Sequence, residues 1–127
     1  INFIFHNAGG SALGALEAAK TAERFMVGFD ANQNNLDATH ILASSHKNHD
    51  DVIDRFFADF VAGTFHGGEN VVNSYANDGL KFTYQEGLEV PDDIASVMEA
   101  VKANLASGEL VPPSSEEELA GWNQTLS

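Results

Sequence analysis

Residues 2–14, NFIFHNAGGSALG, decide the fold of this chain. The apolar stretch at residues 1–5 predicts a short buried strand, and a loop at residues 6–10 follows it. Ser11 is placed to cap an alanine-rich helix that runs to about residue 22. A strand, a glycine turn and a helix in this order begin an alternating α/β pattern.

The rest of the chain continues that alternation. Further strands are predicted at residues 24–29, 40–44, 70–75 and 80–84, with a last short strand at residues 110–111; further helices are predicted after Asn48, after Pro91 and after Ser114 or Ser115. This order favours a layered α/β domain with a mainly parallel sheet. Ligands in such sheets bind at the carboxyl ends of strands, which directs attention to the loops at residues 6–11, 30–37 and 45–49.

The helix that begins after Asn48 has the clearest amphipathic pattern in the chain. Its apolar residues recur at helical spacing: Val52, Ile53, Phe56, Phe57, Phe60 and Val61. The sequence predicts that these side chains lie in the core, that Gly63 ends the helix, and that the acidic residues face water: Asp50, Asp51, Asp54 and Asp59.

Composition excludes several classes of function. The chain has 127 residues, 43% of them hydrophobic, which is enough for one domain with a core. Its net charge of −13 argues against binding to nucleic acid or to an anionic membrane surface, since both need clustered Lys and Arg. With no cysteine, the chain has no disulfide, thiolate nucleophile or Cys-type zinc site.

A candidate binding site follows from the glycine turn. Gly9 and Gly10 let a ligand approach the backbone closely, where helix N–H groups point at it. Asp30 ends the second strand twenty residues after Gly10, and its carboxylate matches the two hydroxyl donors of a ribose. Lys47 follows the third strand and either donates to a ligand oxygen or pairs with Asp30. The alternative is a plain tight turn, a solvated acid and a surface lysine.

Other candidates carry less chemistry. Phe5 ends the first strand, where it either stacks on a base or packs inside, and packing in the core is the preferred interpretation. His46 and His49 do not have a known metal-ligand spacing, so no metal and no cofactor is predicted. No G-x-S-x-G motif is present either, and scattered serines, histidines and aspartates do not indicate a nucleophilic site.

Several segments together resemble the basic membrane protein (BMP) family, the purine-nucleoside-receptor type of ABC transporter substrate-binding lipoprotein. Residues 3–14 are similar to that family's "AGG(T/S)G.G" stretch, VGFDANQ at residues 27–33 to its "GVDSDQ", and SSHKN at residues 44–48 to its "S.(V/L)KN". Residues 61–68 and 90–112 resemble its "DGTFKGG" segment and its closing "SGEIKVP" region. The chain departs from the family at Ala12, which replaces a glycine, and at Ala31 and Asn32, which replace Ser-Asp.

The resemblance implies a periplasmic-binding-protein type I fold, in which two α/β lobes clamp a nucleoside. Residues 1–113 would be the C-terminal lobe, the first lobe would be absent, and residues 114–127 would be an extension with a short helix. Because the chain begins at Ile1 without an initiator Met, we expect a fragment of a longer protein. Asp30 would bind ribose hydroxyls with Lys47 close by, and Gly9 and Gly10 would line the cleft.

The family also implies a binding protein without catalysis, its partners and a location. The full-length protein would lie outside the cytoplasm, would be tethered to the membrane only by a lipid anchor upstream of Ile1, and would deliver its nucleoside to ABC permease subunits. Two alternatives stay open at this point. One is a Rossmann-type nucleotide-cofactor-binding domain of an enzyme, although the spacing of Gly9, Gly10 and Gly14 differs from the dinucleotide fingerprint. The other is a similar lobe kept for assembly or sensing without a ligand.

Overall fold

The protein is an α/β domain of four strands and four helices, seen in a computed structural model that describes residues 2–122. The elements in chain order are β1 (Phe3–Phe5), α1 (Ala12–Thr21), β2 (Phe25–Asp30), β3 (Ile41–Lys47), α2 (His49–Ala62), β4 (Leu80–Tyr84), α3 (Asp92–Ser107) and α4 (Glu116–Gly121). Residue 1 of the predicted first strand and residues 123–127 of the predicted extension lie outside the described residues.

The four strands form one sheet in the order β1-β2-β3-β4. The first three strands are parallel, and β4 pairs antiparallel to β3. The predicted layered α/β domain with a mainly parallel sheet is therefore confirmed. Because β1, β2 and β3 are parallel, their carboxyl ends meet at one edge of the sheet, which is called the carboxyl edge below.

A small core lies between α1 and the sheet. Leu16, Met26 and Ile41 are its buried centre, and Ile4 and Ala15 pack against them. The buried residues of α1 are Ala12, Leu16 and Ala19, a helical spacing that puts them on one face of the helix.

Ser11 precedes α1 as predicted, but its side chain makes no capping hydrogen bond. A 3-10 turn over Gly9–Ser11 leads into the helix, so Ser11 already has helical backbone angles (φ −68°, ψ −13°). An N-cap residue usually has extended backbone angles, which let its hydroxyl accept from the N–H two or three residues further on. Ser11 lacks those angles.

The prediction that the first strand is buried is wrong. Phe3 is 58% exposed and Phe5 is 56% exposed. β1 is an edge strand, and its Ile4 packs against the core while the two phenylalanines point the other way.

The predicted core position of the α2 aromatic residues is also wrong. The helix forms where expected and ends at Gly63, which has a left-handed φ of +73°. However, none of its residues is buried, and Phe57 and Phe60 are 59% and 64% exposed. The rings pack mainly on one another and on Phe65, whose centroid lies 4.7 Å from that of Phe56. The four aspartates predicted to face water are all exposed.

Polar contacts attach α2 to the rest of the fold instead. Asn48 donates from its side chain to the Asp78 carbonyl at 2.8 Å, and Lys81 of β4 pairs with Asp51 at 3.0 Å. These two contacts lie at the start of the helix, and the large apolar side chains of its later turns are exposed.

Two predicted strands do not form among the described residues. Residues 70–75 are irregular and lead into a 3-10 turn at Tyr75–Asn77, because the Asn77 side chain accepts from the Ser74 N–H and donates to the Val72 carbonyl. The N–H of Leu110 donates to the Asn104 carbonyl at the end of α3, so it closes that helix instead of starting a strand.

The last two helices are confirmed. Gly108 ends α3 with a left-handed φ of +78°. Ser115 caps α4 by accepting from the Glu118 N–H, and the Glu118 carboxylate accepts in return from the Ser114 N–H at 2.6 Å. Across residues 2–122, no helix is both long enough and apolar enough to cross a bilayer.

Candidate binding site at the carboxyl edge of the sheet

The carboxyl edge brings Asp30 and Lys47 together. Asp30 is the last residue of β2 and Lys47 the last residue of β3, and the register pairs Asp30 with His46. Lys47 Nζ lies 2.7 Å from Asp30 Oδ1, with both side chains about half exposed. The prediction that Lys47 lies in a loop is wrong, since Lys47 is the last residue of β3 and pairs with Leu80 of β4.

The pair is a matched acceptor and donor. The hydrogen bond from Lys47, followed by its positive charge, holds the pKa of the Asp30 carboxyl below its ordinary value. The carboxylate therefore stays ionised at neutral pH. The ionised carboxylate can accept from one hydroxyl, and the ammonium group can donate to the oxygen of the neighbouring hydroxyl, which suits a vicinal diol.

Asp30 adopts an unusual backbone conformation. Its φ is +75°, in the left-handed region that non-glycine residues rarely occupy and that aspartate tolerates better than most. Such a residue persists where its surroundings hold it, and strained residues of this kind occur at ligand sites.

The glycine turn lies at the end of β1, on the same edge. Gly9 has a φ of +51°, and a Cβ added at Gly9 or Gly10 would meet no atom within 4 Å. The backbone at these two positions is therefore open to close approach, as the sequence predicted.

Phe5 also lies at this end of β1. Its ring packs edge-on against Phe29 with centroids 5.7 Å apart. Since Phe5 is 56% exposed, the preferred interpretation as a core residue is wrong.

His46 and His49 belong to different elements, His46 to β3 and His49 to α2. His46 Nε2 lies 2.9 Å from Thr83 Oγ1, and His49 is the first residue of α2. Within residues 2–122, no cluster of three or more His, Asp or Glu side chains is arranged to hold a metal ion.

Sequence reasoning missed a polar network that contacts the backbone next to Asp30. His6 is 6% exposed, and its Nε2 lies 3.0 Å from Gln33 Oε1. Gln33 donates from its side chain to the Phe29 carbonyl at 3.3 Å and from its backbone N–H to Ser44 Oγ at 3.0 Å.

Asn34 extends this network to the far strand. Its side-chain amide accepts from the Ser44 hydroxyl at 2.6 Å and donates to the carbonyls of Thr83 and Tyr84 at 3.2 and 2.9 Å. The signal in the sequence is Ser44 itself, because a serine inside an apolar strand needs a partner once buried.

Comparisons with known proteins identify a family for this chain. A family model described as "Bmp: ABC transporter substrate-binding protein PnrA-like" matches residues 1–108. No match exists among curated protein sequences.

Three solved structures share the fold. They are similar to this chain as follows: a transcriptional activator of the comK gene from Bacillus halodurans (19% identity, TM-score 0.74), a solute-binding protein of an ABC transporter system from Aeropyrum pernix K1 (22%, 0.71) and another from Conexibacter woesei DSM 14684 (25%, 0.63). The alignments cover 89%, 92% and 88% of this chain but 39%, 42% and 37% of those chains. This chain therefore spans about two fifths of the length of each.

Proposed function

This chain belongs to the family of PnrA-like ABC transporter substrate-binding proteins, and from this premise we propose that its carboxyl edge binds the ribose of a purine nucleoside. The observation that carries the proposal is the Asp30–Lys47 pair, 2.7 Å apart and half exposed at that edge. A family of substrate-binding proteins also agrees with the prediction of a binding protein and not an enzyme.

The chemistry of the site supports a neutral sugar ligand. Asp30 offers acceptor oxygens and Lys47 offers donor hydrogens, the complement of two neighbouring hydroxyl groups. The open backbone at Gly9 and Gly10 leaves room for the ligand, and the half-exposed ring of Phe5 supplies an apolar face for the base. The net charge of −13 would not repel a neutral nucleoside, whereas a phosphate would gain nothing from it.

We further propose that residues 1–113 act as the C-terminal lobe of a two-lobe protein. The structural neighbours are more than twice as long as the aligned part of this chain, which is the support for a second lobe. A nucleoside held between two lobes would favour the closed state of the protein. Extracytoplasmic location, a lipid anchor and delivery to ABC permease subunits belong to the same proposal.

The two-lobe proposal predicts weak binding by this chain alone, because one lobe supplies only part of the contacts. Calorimetry of the 127-residue chain with adenosine, guanosine and inosine should therefore show little heat. A longer protein that contains both lobes should bind, and Asp30→Asn in that protein should weaken binding by removing the charged acceptor. Tight binding by the short chain would contradict the two-lobe division, and unchanged binding by Asp30→Asn would contradict the role of Asp30.

A further inference from the structure

We propose that Gln33, Ser44 and His6 are positioning residues that hold Asp30 against Lys47, through contacts on both sides of Asp30. The inference rests on the proposed role of the Asp30–Lys47 pair in ligand binding, but it concerns the geometry of that pair and can be tested without a ligand. None of the three residues needs to touch the ligand.

Gln33 brackets the backbone of Asp30. Its side-chain amide donates to the carbonyl of Phe29, the residue directly before Asp30. Gln33 itself lies three residues after Asp30, and its backbone N–H donates to Ser44 Oγ. The turn that contains Asp30 is therefore held at its start by the Gln33 side chain and at its end by the buried Ser44 hydroxyl. Such a clamp explains how a non-glycine residue keeps a left-handed φ of +75°.

Ser44 anchors the clamp to the sheet. It is fully buried in β3, opposite Gly28 of β2 in the strand register, and its hydroxyl also donates to Asn34 Oδ1. A Cβ at Gly28 would lie 2.6 Å from Ser44 Oγ and 3.0 Å from the Cβ of Gln33. The missing side chain at Gly28 therefore makes the space in which the Ser44 hydroxyl and Gln33 meet.

His6 fixes the orientation of the Gln33 side chain. Since Gln33 Nε2 donates to the Phe29 carbonyl, its Oε1 faces His6 and must accept. His6 is then the Nε2–H tautomer and the donor of the 3.0 Å bond. The ring is 6% exposed and comes from the loop that carries Gly9 and Gly10, so it joins the glycine turn to the Asp30 turn.

The decisive experiment measures the Asp30 carboxyl itself. Side-chain ¹³C NMR of the whole chain gives the pKa of Asp30 in the wild type, in Gln33→Met and in Ser44→Ala. Gln33→Met keeps the length of the side chain but removes both of its hydrogen bonds. The control is Leu16→Ala, which weakens the core beneath α1 without touching the Asp30 turn.

We expect the pKa of Asp30 to rise toward the ordinary range for an aspartate in Gln33→Met and in Ser44→Ala, and to stay at the wild-type value in Leu16→Ala. Should Ser44→Ala fail to fold, Gln33→Met decides alone, because it leaves the buried hydroxyl in place. An unchanged pKa of Asp30 in folded Gln33→Met, or an equal rise in folded Leu16→Ala, would overturn the proposal.

The same spectra separate this inference from the proposed function. In wild type, the two ring nitrogens of His6 should have the distinct ¹⁵N shifts of the Nε2–H tautomer, and Gln33→Met should change them. If the pKa of Asp30 responds as expected but nucleosides do not bind, the positioning network stands and the nucleoside proposal fails. If nucleosides bind while the pKa does not respond, the reverse holds.

Discussion

The carboxyl edge buries polar side chains, whereas the outer part of α2 exposes apolar ones. At the carboxyl edge, polar side chains are buried: Ser44 is fully buried, and His6 and Asn34 are 6% and 9% exposed. On α2, large apolar side chains are exposed, with Phe57 and Phe60 more than half open. Hydrophobicity alone therefore does not decide burial in this molecule.

The two regions differ in the partners of these groups, although Nδ1 of the buried His6 ring has no hydrogen-bond partner among the described residues. Gln33 and Asn34 satisfy the buried Ser44 hydroxyl, so its burial carries little penalty. The α2 rings find each other and Phe65 but no second layer within residues 2–122. An exposed apolar surface of this kind marks a place where further protein can pack.

The largest effect should come from the core that α1 shares with the sheet. Leu16→Ala should lower the free energy of unfolding by about 2–5 kcal/mol, since Leu16 is 5% exposed and leaves a cavity. Phe60→Ala on α2 should change it by no more than about 0.5 kcal/mol, because the ring is 64% exposed and alanine favours the helix. Urea unfolding of both variants measures the difference, and equal losses would remove the contrast between the two regions.

The next effect isolates the carboxyl edge. Gly28→Ala should cost about 1–3 kcal/mol, because its Cβ would press on Ser44 Oγ and on Gln33. Gly14→Ala, inside α1 with no atom within 4 Å of the added Cβ, is the matched control and should gain about 0.5–1 kcal/mol. A neutral Gly28→Ala would show that the polar network tolerates displacement.

The smallest effect concerns the attachment of α2. Hydrogen bonds from Asn48 and then Lys81 hold the pKa of Asp51 below its ordinary value of 3.8. A lowered pKa in the folded state means that the contact stabilises the fold above pH 3.8 and is lost as the pH falls through the lower folded value. Amide NMR signals of α2 should therefore shift in acid more than those of Met26 and Ile41 in the core.

Asp51→Asn provides the control for that titration. The variant should lose the acid-dependent step of α2 and keep the spectrum of the sheet. The same acid response in Asp51→Asn and in wild type would show that another group governs the attachment of the helix.

Sequence reasoning found the parts of this fold that depend on local pattern. The three parallel strands, the helices and the glycine ends at Gly63 and Gly108 follow from hydrophobic period and backbone preference, which a short window of sequence contains. Asp30 and Lys47 were also found, because strand ends in a parallel sheet meet at one edge.

The errors about burial share one physical cause, which is that burial depends on partners distant in the sequence. The apolar period of α2 predicted the correct helix but not whether another layer covers it. Residues 70–75 have the composition of a strand, yet side-chain bonds of Asn77 use the backbone groups that a ladder needs. The network of Ser44 joins residues ten and more positions apart, so no short motif shows it.

The most direct test of the central claim is an NMR titration of this chain with inosine, followed residue by residue at millimolar ligand. We predict small shifts confined to the carboxyl edge, at Asp30, Lys47, Gly9, Gly10 and Phe5, which vanish in Asp30→Asn and with 2′,3′-dideoxyinosine, since that analogue lacks the diol. Asp30→Asn should keep the rest of the spectrum, because asparagine also tolerates the left-handed backbone. Shifts elsewhere on the molecule, or equal shifts with the dideoxy analogue, would contradict the assignment of this edge as a ribose site.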